Sequence, residues 1–384
     1  MTTTHPGTPA AHTNAPTPVP GGNAELHPVR LRSAKFAYTT RFAAAAVAAS
    51  ADGYHLRRGP GVRPRAGDLV LARVVEIGSH RRLEGPQSRR QMLFPGDEIV
   101  VAYGARYAPD QFLAEVPEDL RTCHLVAAGG VAGSVVAQHA SMDDATVIEP
   151  VGLLADAGGT VTLDRLAPQR TGGHAVTGAP ARGTRRPAVV AVLGTSMNSG
   201  KTTTVASLVN GLTRAGLVVS AGKATGTGAG GDANLFRDAG AARVLDFTDF
   251  GLPSTYRLAA DRVRELWIAV VDQLSLDGPD VVVVEVADGI FQAETSRLLA
   301  DLAFADRVDA VLFAAQDALG AIAGVERLQS LGLPVRAVSG LLTASPLTTA
   351  EASAAITDTP VVVTPDLCDP TVACSVAGVE VASR

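Results

Sequence analysis

AVVAVLGTSMNSGKTTT, residues 188–204, joins an apolar run, a glycine-bounded loop and a hydroxyl-rich helix start without a break. The run Ala188–Leu193 is short and β-branched, which suits a strand buried on both faces of a parallel sheet. Gly194–Thr202 fits G-x-x-x-x-G-K-[ST], and the following VASLVNGLTRAG has apolar residues at helical spacing with Gly216 as its stop. Strand, loop and helix therefore stand in the order of a phosphate-binding loop. Successive loop amides converge on a β-phosphate, and Gly194 and Gly200 keep side chains out of that approach. Lys201 places a point charge between β- and γ-phosphates, and Thr202 offers its hydroxyl to Mg²⁺ at the positive end of the helix dipole. Thr195, Asn198, Ser199 and Thr203 complete the expected nucleotide-contacting set, with ATP and Mg²⁺ as the expected cofactors.

Only three lysines occur, Lys35, Lys201 and Lys223, among many arginines. A compact ammonium and a guanidinium fork are not interchangeable, so the lysines mark candidate sites. The 384 residues, 46% hydrophobic and 18% charged, suffice for two globular domains. A net charge of −5 argues against nucleic acid or anionic lipid as a partner. Cys123, Cys368 and Cys374 make neither a disulfide framework nor a zinc pattern. The N-terminus lacks a signal-peptide pattern and no long apolar run follows, so a cytoplasmic protein without a membrane span is expected.

Residues 1–27 are rich in Thr, Pro, Ala and Gly and read as a disordered tail. Residues 28–166 read as a β-rich domain, a small barrel or sandwich, with strand-like runs at Gly67–Gly78, Gly96–Gly104, Phe112–Pro117 and Cys123–Gly130. Arg41–Ser50 is its one expected helix. The basic turn around His80, Arg81, Arg82, Arg89 and Arg90 reads as a solvated tip, the sharper alternative being contact with an anionic substrate or partner. Arg106, in an aromatic cluster from Tyr103 to Phe112, is a candidate substrate reader. Residues 167–187 read as a linker. From 188 to 384 strands and helices alternate, ending with VVVT at Val361–Thr364, which predicts a doubly wound, mostly parallel α/β sheet with ligands at the strands' carboxyl ends. There stand Lys223 and Asp232, in the glycine-rich GKATGTGAGGDANLF, and Glu285, with Asp288 as a nearby alternative for holding Mg²⁺. DFTDFGLPSTY, residues 246–256, reads equally as a turn with a helix cap or as a cleft-lining loop. Gln292 and Glu294 read as helix-start residues.

The phosphate loop, KATGTG, the GDA at Gly231–Ala233 and VEVADG at Val284–Gly289 together resemble the dethiobiotin synthetase and cobyrinic acid amidase group of P-loop proteins. The resemblance covers about half the chain. It implies that Lys201 and Thr202 bind phosphates and metal, that Asp232 and Glu285 are Mg²⁺ ligands, and that Lys223 binds substrate and stabilises the transferring phosphoryl group. It further implies activation of a carboxylate or carbamate as an acyl phosphate, which an amine then captures. VEVADG stands where the group has VEGAGG, the late VRAVSGLLTASP lacks the group's base-site asparagine and offers Ser339 and Thr343 instead, and the β-rich half has no counterpart there. A looser resemblance is to P-loop proteins with an N-terminal domain, some associated with D-amino-acid acylation. The expected activity is that of an ATP-dependent ligase or small-molecule kinase acting on a carboxylate or amine. The alternatives are a nucleotide-driven switch, or acyl transfer to an amino acid. A homodimer is compatible with each, and no guanine-reading N/T-K-x-D segment appears.

Overall fold

The computed structural model describes residues 22–171 and 186–380. Its N-terminal part is a mostly antiparallel sheet of eleven strands. Five of them close on themselves. Leu69–Glu76 pairs with both Glu98–Tyr103 and Thr146–Asp156, Val131–Gln138 pairs with Glu98–Tyr103, and Cys123–Ala127 bridges Val131–Gln138 to Thr146–Asp156. Of the two expected forms this is the barrel. Alternation along Leu69–Glu76 sends Val70, Ala72 and Val74 into one apolar cluster and Leu69 and Leu71 into another on the opposite face. The second cluster is capped by the helix Arg41–Ala49 through Ala43 and Val47, where an alanine-rich helix is expected. The closing strands Val131–Gln138 and Thr146–Asp156 lack a punctuated apolar run and are absent from the sequence reading.

One boundary shifts. Gly22–Glu25, inside the stretch expected as tail, is a strand antiparallel to His55–Arg58, because Leu26 beside it gains a buried place in the cluster around Leu31 and Leu56. Residues 1–21 and 172–185, the rest of the expected tail and most of the expected linker, lie outside the described residues.

The C-terminal part is a sheet of six strands in the order Arg243–Asp246, Val219–Lys223, Val281–Glu285, Ala188–Gly194, Ala310–Ala314, Val335–Ser339, with every pairing parallel. Val189, Ala191 and Leu193 pack on one face with the helix Ala260–Leu274, while Val190 and Val192 pack on the other with Lys201–Arg214. Burial on both faces explains the unbroken apolar strands. The fold is thus a doubly wound parallel α/β unit preceded by a β-rich one. VVVT is not a seventh strand. Val361 makes one bridge to Val338, and a 3₁₀ turn, Thr364–Cys368, with Pro365 near its start, then follows. The helix expected across Ala293–Ala305 is two, Ala293–Leu299 and Leu302–Ala305, because the Asp301 side chain caps a new start.

The two parts are joined by polar contacts on DFTDFGLPSTY. The Asp246 side chain caps the 3₁₀ turn Phe247–Phe250 and also accepts from the Tyr38 hydroxyl at 3.0 Å. Arg41 donates to Thr248 Oγ1 at 2.8 Å and Asp249 Oδ1 at 2.6 Å, with its guanidinium 4.3 Å from the Tyr38 ring centroid. The side chains of Arg41 and Asp249 are 13% and 16% exposed, so the loss of one partner leaves a largely desolvated charge. Arg41→Ala is expected to destabilise the chain by about 3 kcal/mol, seen as a lower urea midpoint, with Asp249→Asn restoring part of the loss. An unchanged midpoint would remove this pair from the account of how the two parts hold together.

Candidate functional site at the strand ends

Three elements bring charge to the carboxyl edge of the parallel sheet. Lys223 and Glu285 end neighbouring strands and stand opposite in register. Glu285, 1% exposed, places Oε1 at 2.9 Å from the Lys223 Nζ, and the Asp232 carboxylate on the helix Gly231–Asp238 makes a second, shorter contact with the same ammonium. Burial pulls the Lys223 pKa down, but the two carboxylates outweigh it and hold the ammonium above the usual lysine value. Glu285 Oε2 is buried with no hydrogen-bond partner among the described residues.

The phosphate loop follows the strand Ala188–Gly194 and leads into the helix Lys201–Arg214. Gly200 is left-handed at φ 93°, and a Cβ there would lie 2.9 Å from Leu341 N. Gly194 is needed for a different reason from clearing a ligand, since its Cβ would lie 2.4 Å from Ser199 Oγ and 3.0 Å from Ala314 O. Ser199 is fully buried, and its carbonyl accepts from Leu341 N at 2.9 Å. Thr195 N donates to Ala314 O at 3.0 Å. Lys201 donates to Ser196 O at 2.7 Å, and burial holds its pKa below the usual lysine value against the pull of Glu285. Asn198, at φ 61°, donates from Nδ2 to Asp110 Oδ2 of the β-rich part at 2.6 Å.

Asn198, Lys201, Thr202, Lys223, Asp232 and Glu285 share one cavity of about 410 Å³, with Gly200, Thr203 and Asp288 also on its walls. Gly194, Thr195 and Ser199 are not among those walls and shape the loop from behind. Ser339 and Thr343 do not present themselves to a base either. Ser339 Oγ lies 2.9 Å from Thr364 Oγ1, and Thr343 Oγ1 donates to Gly340 O at 2.8 Å. Gln292 and Glu294 serve as read, Gln292 accepting from Thr295 N at the helix start and Glu294 from Arg257 N at 2.8 Å. Asp317, in the segment where a guanine reader would stand, caps the helix Ala318–Ser330 through Gly320 N at 2.7 Å.

A second cavity, of about 940 Å³, lies between the two parts and shares Met197, Lys223, Asp232 and Asp288 with the first. Its far wall carries Arg82 and Arg90, both exposed, so their turn keeps the solvated character expected of it while bordering the cavity. Arg82–Glu84 and Arg90–Met92 pair as a hairpin, and Glu84 accepts from Gly230 N at 3.1 Å, which lays the hairpin over the glycine-rich loop. Arg106 lines the same cavity and is 6% exposed. Asp288 stands where the cavities meet, and burial raises its pKa against the opposing pull of Lys223 and Lys201. The Arg82–Arg90 hairpin and the Asp110–Asn198 bond are the site features that the sequence concealed. Density of glycine was a signal for the hairpin contact, since a Cβ on Gly230 would meet Ser88 Oγ at 2.0 Å.

No family model and no curated protein matches the chain. Among solved structures, the signal recognition particle 54 kDa protein of Aeropyrum pernix, in complex with GDP, is 21% identical over 51% of this chain and 41% of its own, with a TM-score of 0.31. The receptor FtsY of Elizabethkingia anophelis is 18% identical over 52% of this chain and 61% of its own, with a TM-score of 0.30. Chloroplast FtsY of Physcomitrella patens is 19% identical over 51% of this chain and 65% of its own, with a TM-score of 0.34. The chain thus spans less than two thirds of each, and scores this low carry no functional argument. The strand, left-handed Gly200, buried Lys201 and helix start decide the matter locally. The C-terminal half has a P-loop nucleotide-binding fold.

The P-loop rests on Gly340, which is at φ 97° and whose Cβ would lie 2.4 Å from Ser199 O and 2.8 Å from Ala315 N. Gly340→Ala forces the loop to shift and is expected to weaken binding of a fluorescent nucleotide analogue by about tenfold or more, a loss of roughly 1.4 kcal/mol. Binding within twofold of the parent would show that the loop does not depend on this support. No described helix is long and apolar enough to cross a membrane.

Proposed function

We propose that the chain is an ATP- and Mg²⁺-dependent enzyme that transfers the γ-phosphoryl group to a small molecule held between its two parts, as a ligase or kinase. The observation that carries this reading is the junction of the two cavities at Lys223, Asp232 and Asp288. One chamber is walled by the P-loop, the other is large enough for a metabolite, and charged side chains line their meeting point. Phosphoryl transfer asks mainly for positioning and charge neutralisation, which such a junction supplies without a covalent nucleophile.

Lys201 and the amides of the P-loop would hold the β- and γ-phosphates, with Thr202 and Thr203 at the helix start. The residues fit Mg²⁺. Thr202 and Glu285 line one cavity, and the unpartnered, buried Oε2 of Glu285 suits a divalent cation directly or through water. Asp232 would serve as a further ligand. When bound, the ion would draw off charge from the phosphate oxygens. Lys223, charged at neutral pH and anchored by two carboxylates, would neutralise the phosphoryl group in transit. Asp288, with its raised pKa, would accept the proton of an attacking hydroxyl or amine, and ionised carboxylate substrates would need no such help.

Lys201→Ala is expected to abolish ATP binding, whereas Lys223→Ala should retain binding within about threefold and lose substrate-dependent ADP release by about a hundredfold or more. Chelation of Mg²⁺ should stop turnover of the parent enzyme. The readout is mass analysis of pooled carboxylate and amine metabolites incubated with Mg-ATP, where a phosphorylated or ligated product is expected. ADP release that ignores metabolites but rises with a protein partner would replace this reading with that of a nucleotide-driven switch.

A further inference from the structure

The wall of the larger cavity opposite the P-loop holds a buried guanidinium that no described carboxylate meets at salt-bridge distance, although Asp110 and Asp288 attract it from farther off. Arg106, at the start of the short strand Arg106–Tyr107, is 6% exposed yet forms no ion pair with any described residue. Its Nη2 donates to Gln111 Oε1 at 2.8 Å and its Nη1 lies 3.3 Å from His80 Nε2, both neutral partners, while Nε is buried with none. Burial, reinforced by Arg106, lowers the His80 pKa to about 4, so that ring is uncharged at neutral pH and offsets nothing. Burial also lowers the Arg106 pKa, to about 10, against the attraction of Asp110 and Asp288. Neither acid makes a salt bridge with it, and Asp110 gives an oxygen to Asn198.

A buried cation with free donor capacity is costly unless something negative completes it. The charges around the cavity are sorted by place. Asp232 stands at the P-loop end beside Lys223 and Asp288 lies between, within electrostatic reach of both Lys223 and Arg106, whereas Arg82, Arg90 and Arg106 line the other end, where the lining acid Glu84 is engaged by Gly230 N. A buried guanidinium such as that of Arg106 recognises planar or tetrahedral oxyanions, and the exposed Arg82 and Arg90 add positive charge at the same end.

We propose that Arg106, supported by Arg82 and Arg90, is the subsite for an oxyanionic group, a carboxylate or a phosphate ester, on the far end of the small-molecule substrate. This deepens the phosphoryl-transfer reading and rests on it for the word substrate, but the anion site stands or falls by binding alone. The anchored end sits at Arg106 and the reactive end extends toward Lys223 and Asp288.

Calorimetric titration of the full chain with glutarate and with glycerol 3-phosphate, beside uncharged glutaramide and glycerol, tests it. Saturable binding of at least one anion is expected, with no binding of its neutral counterpart, and the anion that binds tells carboxylate from phosphate ester. Arg106→Gln should weaken that binding by about tenfold or more, as loss of a charge-assisted donor implies. Arg106→Lys, which keeps the charge and loses the fork, should weaken it less, and it carries the comparison if circular dichroism shows Arg106→Gln unfolded. Lys201→Ala should leave the binding within about twofold, which separates this site from the P-loop and from the fate of the ATP reading. Binding of neither anion, equal binding of the neutral compounds, or unchanged affinity in both Arg106 variants would overturn the proposal.

Discussion

Lys223 and Glu285 face each other across two parallel strands, and a carboxylate only 1% exposed is tolerable there because the ammonium lies 2.9 Å away. That requirement fixes more than a charge pair. The strands around it are runs of valine that would pack nearly as well one residue out of step, but a slip would set Glu285 against an apolar neighbour. Register in an all-buried parallel sheet is weakly marked by hydrophobicity, so the ionic pair at its edge marks it. With the register held, the P-loop strand, paired through Val192 to Glu285, delivers Lys201 and Thr202 to the same edge. Asp232 closes the group from a helix of the neighbouring loop.

The β-rich part completes this edge. The loop Gly226–Gly231 has no room for side chains where it meets the barrel, since a Cβ on Gly129 would lie 1.9 Å from Gly228 O and one on Gly228 would lie 2.6 Å from Thr39 Cγ2. Contact that close, with Arg41 and Tyr38 bonded to the turn after Asp246, leaves a cavity of about 940 Å³ lined by both parts. The glycines of KATGTGAGG therefore answer to the neighbouring half of the chain as much as to a nucleotide.

What the sequence revealed follows from range. Residues 188–204 carry period, loop and helix start within one short window, and Lys223 and Glu285 stand at the ends of apolar runs that are strands for local reasons. Arg82 and Arg90 are exposed, as a charged tip should be, but nothing nearby in the sequence states that a loop some 140 residues later comes to lie against their hairpin, as the Glu84 bond to Gly230 records. VVVT reads as a strand by propensity, yet Thr364 is drawn away by its hydroxyl contacts with Ser339 and Thr343. Gly22–Glu25 is a strand because His55–Arg58 offers an edge and Leu26 beside it a buried anchor.

The segment from Arg106 to Gln111 ties the two chambers together through backbone, not through reach. At one end Arg106 faces the larger cavity and is steadied by Gln111. Between them Asp110 holds the Asn198 side chain at the turn of the P-loop, where the backbone is left-handed. On its other side the loop is fixed by Leu341 N to Ser199 O and by the tight fit of Gly340. A phosphate on the loop and an anion on Arg106, as proposed, would therefore be positioned by one short, internally bonded stretch. Effective molarity between reacting groups depends on such fixed separations, and a long flexible side chain would squander it in rotamers. In the proposed reaction the burden of alignment would fall on a barrel loop that carries no phosphate-binding motif, so the edge of the C-terminal half would be completed by the β-rich part.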